Sequence, residues 1–407
     1  MHSRSVSKRA VTWRSVPRRL RPGSRSRRQR TSGGLSRDLF APLQACSTIQ
    51  YMQNSVQEIV RKVEEAPLPE LVRISMDEVQ VQMDSYLAPD MDSTSLYRRW
   101  EKQQWAVSDL DFSADKQQWS TLDEAQRDTV RRTMILFFIG EQAVTDTLSP
   151  ILHAAPHEDE RIFLATQIAD EARHTVFFQR FFDEVLQVGG GLSSALAVVG
   201  PEATKGFRRI FEKDLIDATE AVRKDPGDVT SWVEAVVTYH LVIEGYLALT
   251  GQRALLRFFR AIGLMPGFTA GFTAVARDES RHIGFGVLAL RRRLRDDPEL
   301  ARVVVRKVLE LAEPAVLTVV DPETLLEYEH PSEMPDEMRQ DPTEMRAFAI
   351  DSLAKRLRSV GLSDGTIADV AGQYHPIYDR LWSQYEDIHG VEHPVRWYQQ
   401  QAAAATG

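Results

Sequence analysis

Residues 170–174 read DEARH and residues 278–282 read DESRH, and this repeated pentapeptide decides the fold. Each copy sets a glutamate and a histidine three residues apart, Glu171 with His174 and Glu279 with His282. On a helix that spacing puts both side chains on one face. Upstream of each copy an isolated glutamate interrupts an apolar run: Glu141 in MILFFIGEQAV (134–144) and Glu244 in VTYHLVIEGYLALTG (237–251). If the chain turns near Pro156, Glu141 and Glu171 lie about fifteen residues to either side, and at ~1.5 Å rise per residue they return to one height. A turn over Gly263–Gly267 does nearly the same for Glu244 and Glu279. An ionised carboxylate in apolar company is costly unless opposite charge meets it. The predicted partner is metal.

Four helices supplying Glu, Glu-x-x-His, Glu and Glu-x-x-His make the dinuclear carboxylate site of ferritin-like bundles. The chemistry explains the residue types. Four carboxylates balance two divalent cations, and hard oxygen donors with borderline imidazole suit iron and manganese. Open positions between such ions admit dioxygen. One Glu-x-x-His alone is commonly a solvated helix face; two copies with matched upstream glutamates are not. The predicted ligands are Glu141, Glu171, His174, Glu244, Glu279 and His282. The remaining histidines of the body, His153, His157, His240, His330, His375, His389 and His393, read as surface residues.

Outward from the repeat the pattern stays helical. STLDEAQRDTV (120–130) opens a helix of about thirty residues, with Ser120 or Thr121 as cap and Glu124 completing a capping box. Further helices are predicted from about Glu158 to Val188 and over 201–223, 229–262 and 266–294, separated by VGGGLSS, DPGD and GLMPG. The fold class is therefore all-α, a ferritin-like helical bundle with a dinuclear metal site in a four-helix core. Residues 121–320 form that bundle, 52–120 an irregular N-terminal wrapping with one short helix, and 321–407 an acidic linker and short helical extension. Residues 1–51 read as a disordered basic arm, with Met52 as an alternative start.

Composition narrows the function. Of 407 residues 43% are hydrophobic, enough for a large core. The single cysteine, Cys46, excludes an internal disulfide and a Cys-rich metal site, which fits a reducing compartment, the cytoplasm. No apolar run reaches membrane-spanning length, so no membrane span is expected. The first forty residues hold 12 of the 50 Lys and Arg and one of the 58 acids, so the rest carries 38 basic against 57 acidic residues. Such an acidic body argues against nucleic acid as the main partner.

Over about residues 100–295 these spacings resemble the small, radical-generating subunit of class I ribonucleotide reductase and its relatives. Most such subunits carry Asp where this chain has Glu141, and a radical tyrosine where it has Phe178. A phenylalanine stores no tyrosyl radical, and a minority branch keeps the oxidising equivalent on a mixed manganese/iron centre instead. GEQAVTD (140–146) and the stretch around Glu244 look like the ligand-binding oxidases of this superfamily. That resemblance implies a heterodinuclear Mn/Fe cofactor (Fe/Fe as the alternative), a long-chain fatty acid as ligand, a homodimer, and an ether cross-link between Val144 and Tyr239. Val144 shares a helix face with Glu141. Tyr239, five residues before Glu244, stands about 140° away on an ideal helix, and only a π-bulge would bring it in.

The function expected is an oxidase that uses dioxygen for a two-electron oxidation, with an apolar cavity around Val144, Leu148 and Phe178. The alternative is a radical-generating small subunit of a class I ribonucleoside-diphosphate reductase, partnered with a large subunit. Three residues support it: Trp105 resembles the tryptophan of the radical-transfer route, Asp278 would orient His174, and Tyr398 lies where a relay tyrosine is expected. Metal storage fits less well, given the Val/Tyr pair and the long flanking segments.

Overall fold

The computed structural model describes residues 54–188, 203–323, 331–333, 336 and 339–406, and every regular element among them is helical. The basic arm with Cys46, and His330, lie outside the described residues. Over 52–120 the one short helix expected is α1 (54–65), and where irregular wrapping was expected after it the chain forms three more: α2 (Met76–Ser85), α3 (Ser93–Lys102) and α4 (Ser113–Thr121). The Ser and Asp punctuation that reads as loop caps two of them. Ser75 and Glu78 form a reciprocal box, and Asp92 accepts from the Ser95 amide at 2.6 Å.

The core begins with α5 (Glu124–Ala154). Its cap is Asp123, boxed with Gln126 at 2.9 and 3.1 Å, and Thr121 instead ends α4. Both Thr121 and Asp123 satisfy the capping pattern, and the charged one also complements the helix dipole. A tight turn leads to α6 (Glu158–Phe181), prolonged by a π turn at Phe182–Leu186. Next comes α7, Lys205–Arg209 and Leu215–Lys224 joined by a π turn at Ile210–Asp214. The second hairpin pairs α8 (Val229–Ile262) with α9 (Pro266–Asp296). By length and composition α8 would cross a membrane, but 89% of its apolar window is buried inside the protein. It is a core helix.

Two local features shape this hairpin. The middle of α8, Val237–Ala248, is a twelve-residue π segment, buried almost throughout. There the His240 carbonyl lies 2.9 Å from where a Gly245 Cβ would stand, so the close backbone approach requires glycine. The N-terminus of α9 has no capping side chain of its own. Buried Asp115 of α4 caps it from outside, accepting from the Gly267 and Phe268 amides at 2.9 and 2.8 Å.

After α10 (Leu300–Glu310) and α11 (Ala312–Val319), the expected short tail is three helices: α12 (Pro342–Val360), α13 (Asp364–His389) and α14 (Pro394–Thr406). They bury Ile350, Leu353, Leu357, Tyr374 and Trp382 and pack α12 over the π segment of α8. Burial of that apolar stripe is what the polar, Pro-punctuated sequence before it conceals.

Candidate metal centre

Glu141 stands on α5, Glu171 and His174 on α6, Glu244 on the π segment of α8, and Glu279 and His282 on α9. All six are buried and converge between the four helices. Their donor atoms form two overlapping groups: Glu141, Glu171, His174 and Glu279, and Glu171, Glu244, Glu279 and His282. In each, the ligand atoms lie within 4.8 Å of one another. Glu171 and Glu279 belong to both groups, Glu141 and Glu244 to one each, so the six residues together could hold two ions.

The imidazoles are aimed. Nδ1 of His174 lies 3.3 Å from Glu141 and 3.5 Å from Glu171 and Glu279. Nδ1 of His282 lies 3.1 Å from Glu171 and 3.5 Å from Glu244 and Glu279. Each Nε2 faces outward to a carboxylate of the other repeat, His174 to Asp278 at 3.2 Å and His282 to Asp170 at 3.1 Å. A proton held on Nε2 by that aspartate leaves the Nδ1 lone pair for a metal.

This outer layer is as symmetric as the repeat. Arg281 donates to Asp278 at 2.6 Å and Asp170 at 2.9 Å; Arg173, at the same place in its own pentapeptide, donates to Asp278 at 2.8 Å and also to Asp170. Trp100 Nε1 donates to Asp170 at 2.9 Å and Trp105 Nε1 to Asp278 at 2.8 Å. Burial disfavours the Asp278 charge, but Arg281 and Arg173 hold its carboxyl well below the usual range.

Inside the layer the balance reverses. Burial, with the neighbouring carboxylates, pushes Glu141 up to about 8 and raises Glu244 and Glu279. Burial opposes charge on the histidines too, yet the surrounding carboxylates raise both. Oε2 of Glu244, Oε2 of Glu279 and Nδ1 of His282 make no hydrogen bond. Unsatisfied buried donors of these types, converging at one place, fit two divalent cations.

Tyr239 and Val144 line one cavity with Glu141, Glu171, Glu244 and Glu279. The π geometry overcomes the angular mismatch of an ideal helix: residues five apart share a face, and the Tyr239 hydroxyl donates to Glu171 Oε1 at 2.8 Å. The cavity, about 600 Å³, is otherwise walled mainly by apolar side chains such as Phe211, Ile243, Leu247 and Phe258. Two expected lining residues are elsewhere. Leu148 packs in the core, and Phe178 sits in an aromatic cluster with Phe138, Phe268 and Phe272, where a ring gains more from ring contacts. Tyr398 lies on the cavity wall.

Two of the expected surface histidines are buried. His393 stacks on Trp382, with ring centroids 5.7 Å apart. His240 shares a hydrogen bond with Gln167 Oε1 at 3.1 Å, and Gln167 Nε2 donates to Glu244 Oε1 at 2.8 Å. Burial pulls His240 down to about 3, so it is neutral and supports Glu244 through Gln167. In the π segment it turns inward rather than off the Glu244 face. The sequence reading passed over Asp170, although it holds the place in DEARH that Asp278 holds in DESRH; Trp100, Gln167 and His240 carried no comparable signal.

Solved structures share this architecture. An R2-like ligand-binding oxidase variant with aerobically reconstituted Mn/Fe cofactor superposes with a TM-score of 0.57 and 23% identity, over 66% of this chain and 94% of its own. A tyrosine-to-phenylalanine variant, also with aerobically reconstituted Mn/Fe cofactor, gives 0.56 and 25%, over 66% and 93%. The R2-like ligand-binding oxidase from Sulfolobus acidocaldarius gives 0.55 and 24%, over 66% and 89%. Residues 87–317, more than half of the chain and all six converging side chains, match the family described as ribonucleotide reductase, small chain. With its fold and its matched segment in agreement, the chain belongs to the ribonucleotide reductase small-chain family.

Proposed function

We propose that this protein is a dinuclear Mn/Fe oxidase that uses dioxygen for two-electron oxidation, binds a long-chain fatty acid, and joins Val144 to Tyr239. The observation that carries the reading is the Tyr239 hydroxyl bonded to Glu171 in a cavity that Val144 also lines. Glu141, Glu171, His174, Glu244, Glu279 and His282 would hold the metals, which when bound supply the electrons and open positions for dioxygen. The R2-like oxidases with Mn/Fe cofactor support the heterodinuclear pair over Fe/Fe.

The chain's own residues do the rest. Apolar walls exclude water and accept an alkyl chain, while the carboxylate-rich end suits a charged head beside cations. Glu171 Oε1 is a defined acceptor for the Tyr239 proton. In the cross-link a Val144 C–H and the Tyr239 O–H break and a C–O bond forms, two electrons and two protons passing to dioxygen. Phe178 among other phenylalanines offers no tyrosyl radical site.

Aerobic loading with Mn and Fe, followed by intact and peptide mass spectrometry, tests this directly. A linked Val144–Tyr239 peptide two hydrogens lighter is expected, and Tyr239→Phe abolishes it. Loaded, oxidised protein with both peptides unlinked overturns the cross-link; absence of dioxygen uptake overturns the oxidase.

A second reading, the radical-generating subunit of a ribonucleoside-diphosphate reductase, draws on the path from Trp105 through Asp278 to His174. The matching Trp100–Asp170–His282 set favours a support role for both tryptophans. Tyr398 on the cavity wall, in an anchored helix, also counts against a relay. Nucleotide reduction on adding a large subunit would reinstate it.

A further inference from the structure

We propose that the C-terminal helices α12 and α14 read the length of the bound chain, with Met345 and Tyr398 contacting its distal methylenes. The inference rests on the alkyl-ligand reading above. The cavity that touches Glu141, Glu171, Glu244 and Glu279 is continuous with a wall made by Gln340, Pro342, Met345, Pro394 and Tyr398. These five lie beyond the family-matched segment, which ends at residue 317. The glutamates are buried, whereas Met345 and Tyr398 are half-buried, so the C-terminal residues form the outer end. A chain with its head among the carboxylates meets them last.

That outer wall is fixed in place. Asp341 caps α12, accepting from the Thr343 amide at 2.8 Å, and Gln340 Nε2 donates to the Ala254 carbonyl at 3.2 Å. At the other helix, Glu386 accepts from Arg396 at 2.7 and 2.9 Å and from the His393 amide at 3.1 Å, setting the turn into α14. The Tyr246 and Tyr378 hydroxyls, 2.6 Å apart, join α13 to the π segment carrying Glu244. The side chains suit the role. Met adapts to an alkyl chain of varying path, and Tyr offers an apolar ring with a hydroxyl for the wet rim.

Each methylene buried is worth about fourfold in affinity. Affinity should therefore climb with chain length until the chain passes Met345 and Tyr398, then level off. The test uses the full-length, metal-loaded protein and two homologous series, saturated fatty acids and n-alkanols, with affinities from native mass spectrometry or displacement titration. Met345→Trp fills the outer end and Tyr398→Ala removes its contact; the second, at a half-buried site, keeps the test open if the first folds poorly. Short members should bind both variants within about twofold of the parent, and long members should lose about 15- to 60-fold, two or three methylenes' worth. Equal loss at every length, no loss at any length, or no binding of either series to the parent overturns the proposal. Should alkanols bind as well as acids, the fatty-acid head falls as a determinant, while the length dependence of the alkanols still decides the wall.

Discussion

Among the six converging residues, sharing decides importance. Glu171 lies in both donor groups and Glu141 in one. Glu171→Ala is expected to empty both positions, and Glu141→Ala to leave about one metal per chain, as elemental analysis after loading and desalting would show. Gln167 acts at one remove, holding Glu244 Oε1. Its replacement by Leu should weaken metal binding about 10–100-fold in competition with a chelator, while circular dichroism stays unchanged. The glutamates and histidines were legible because the pentapeptide repeats. Gln167 and His240 were not, because their role exists only once α8 takes its π form, which five-residue spacing permits and no sequence pattern announces.

At the level of elements, α4 and α9 show how a neighbour completes a helix. Asp115 satisfies two amides at the start of α9, and the Asp111 carbonyl lies 2.4 Å from where a Gly267 Cβ would stand. Asp115→Ala leaves two donors buried without partners and should cost about 2–4 kcal/mol in denaturant unfolding. Because α9 carries Glu279 and His282, metal retention should fall with it. The four core helices were readable from caps, breakers and apolar spacing. The short helix at 54–65 and a helical tail were also readable, but α2–α4 and the division of the tail into α12–α14 were not, because their sequences are punctuated by Pro and Asp.

For the molecule as a whole, the metal-free centre is a store of destabilising charge. Glu141 titrates near 8, above its unfolded range, and the two histidines are also raised. The native state thus holds more protons than the unfolded chain, so metal-free stability should fall as pH rises from about 6.5 to 8. Bound metal removes those protons and should flatten or reverse the slope, with proton release on loading at pH 7. Thermal melts across that range, with and without Mn and Fe, measure it; saturation at ~100 Kd alone adds about 2.7 kcal/mol. A metal-free melt rising over the same interval would contradict the charge balance described.

The exchange of aspartates between the repeats has a kinetic consequence. His174 meets Asp278 across 104 residues and His282 meets Asp170 across 112. Neither hairpin orients its own histidine, so a nascent chain that has made only the first has its carboxylates and imidazole but no fixed tautomer. Closing such distant pairs comes late in folding. Competence for tight metal capture should therefore appear only at the last docking step, which makes the ion an inspector of the finished fold rather than a template for it.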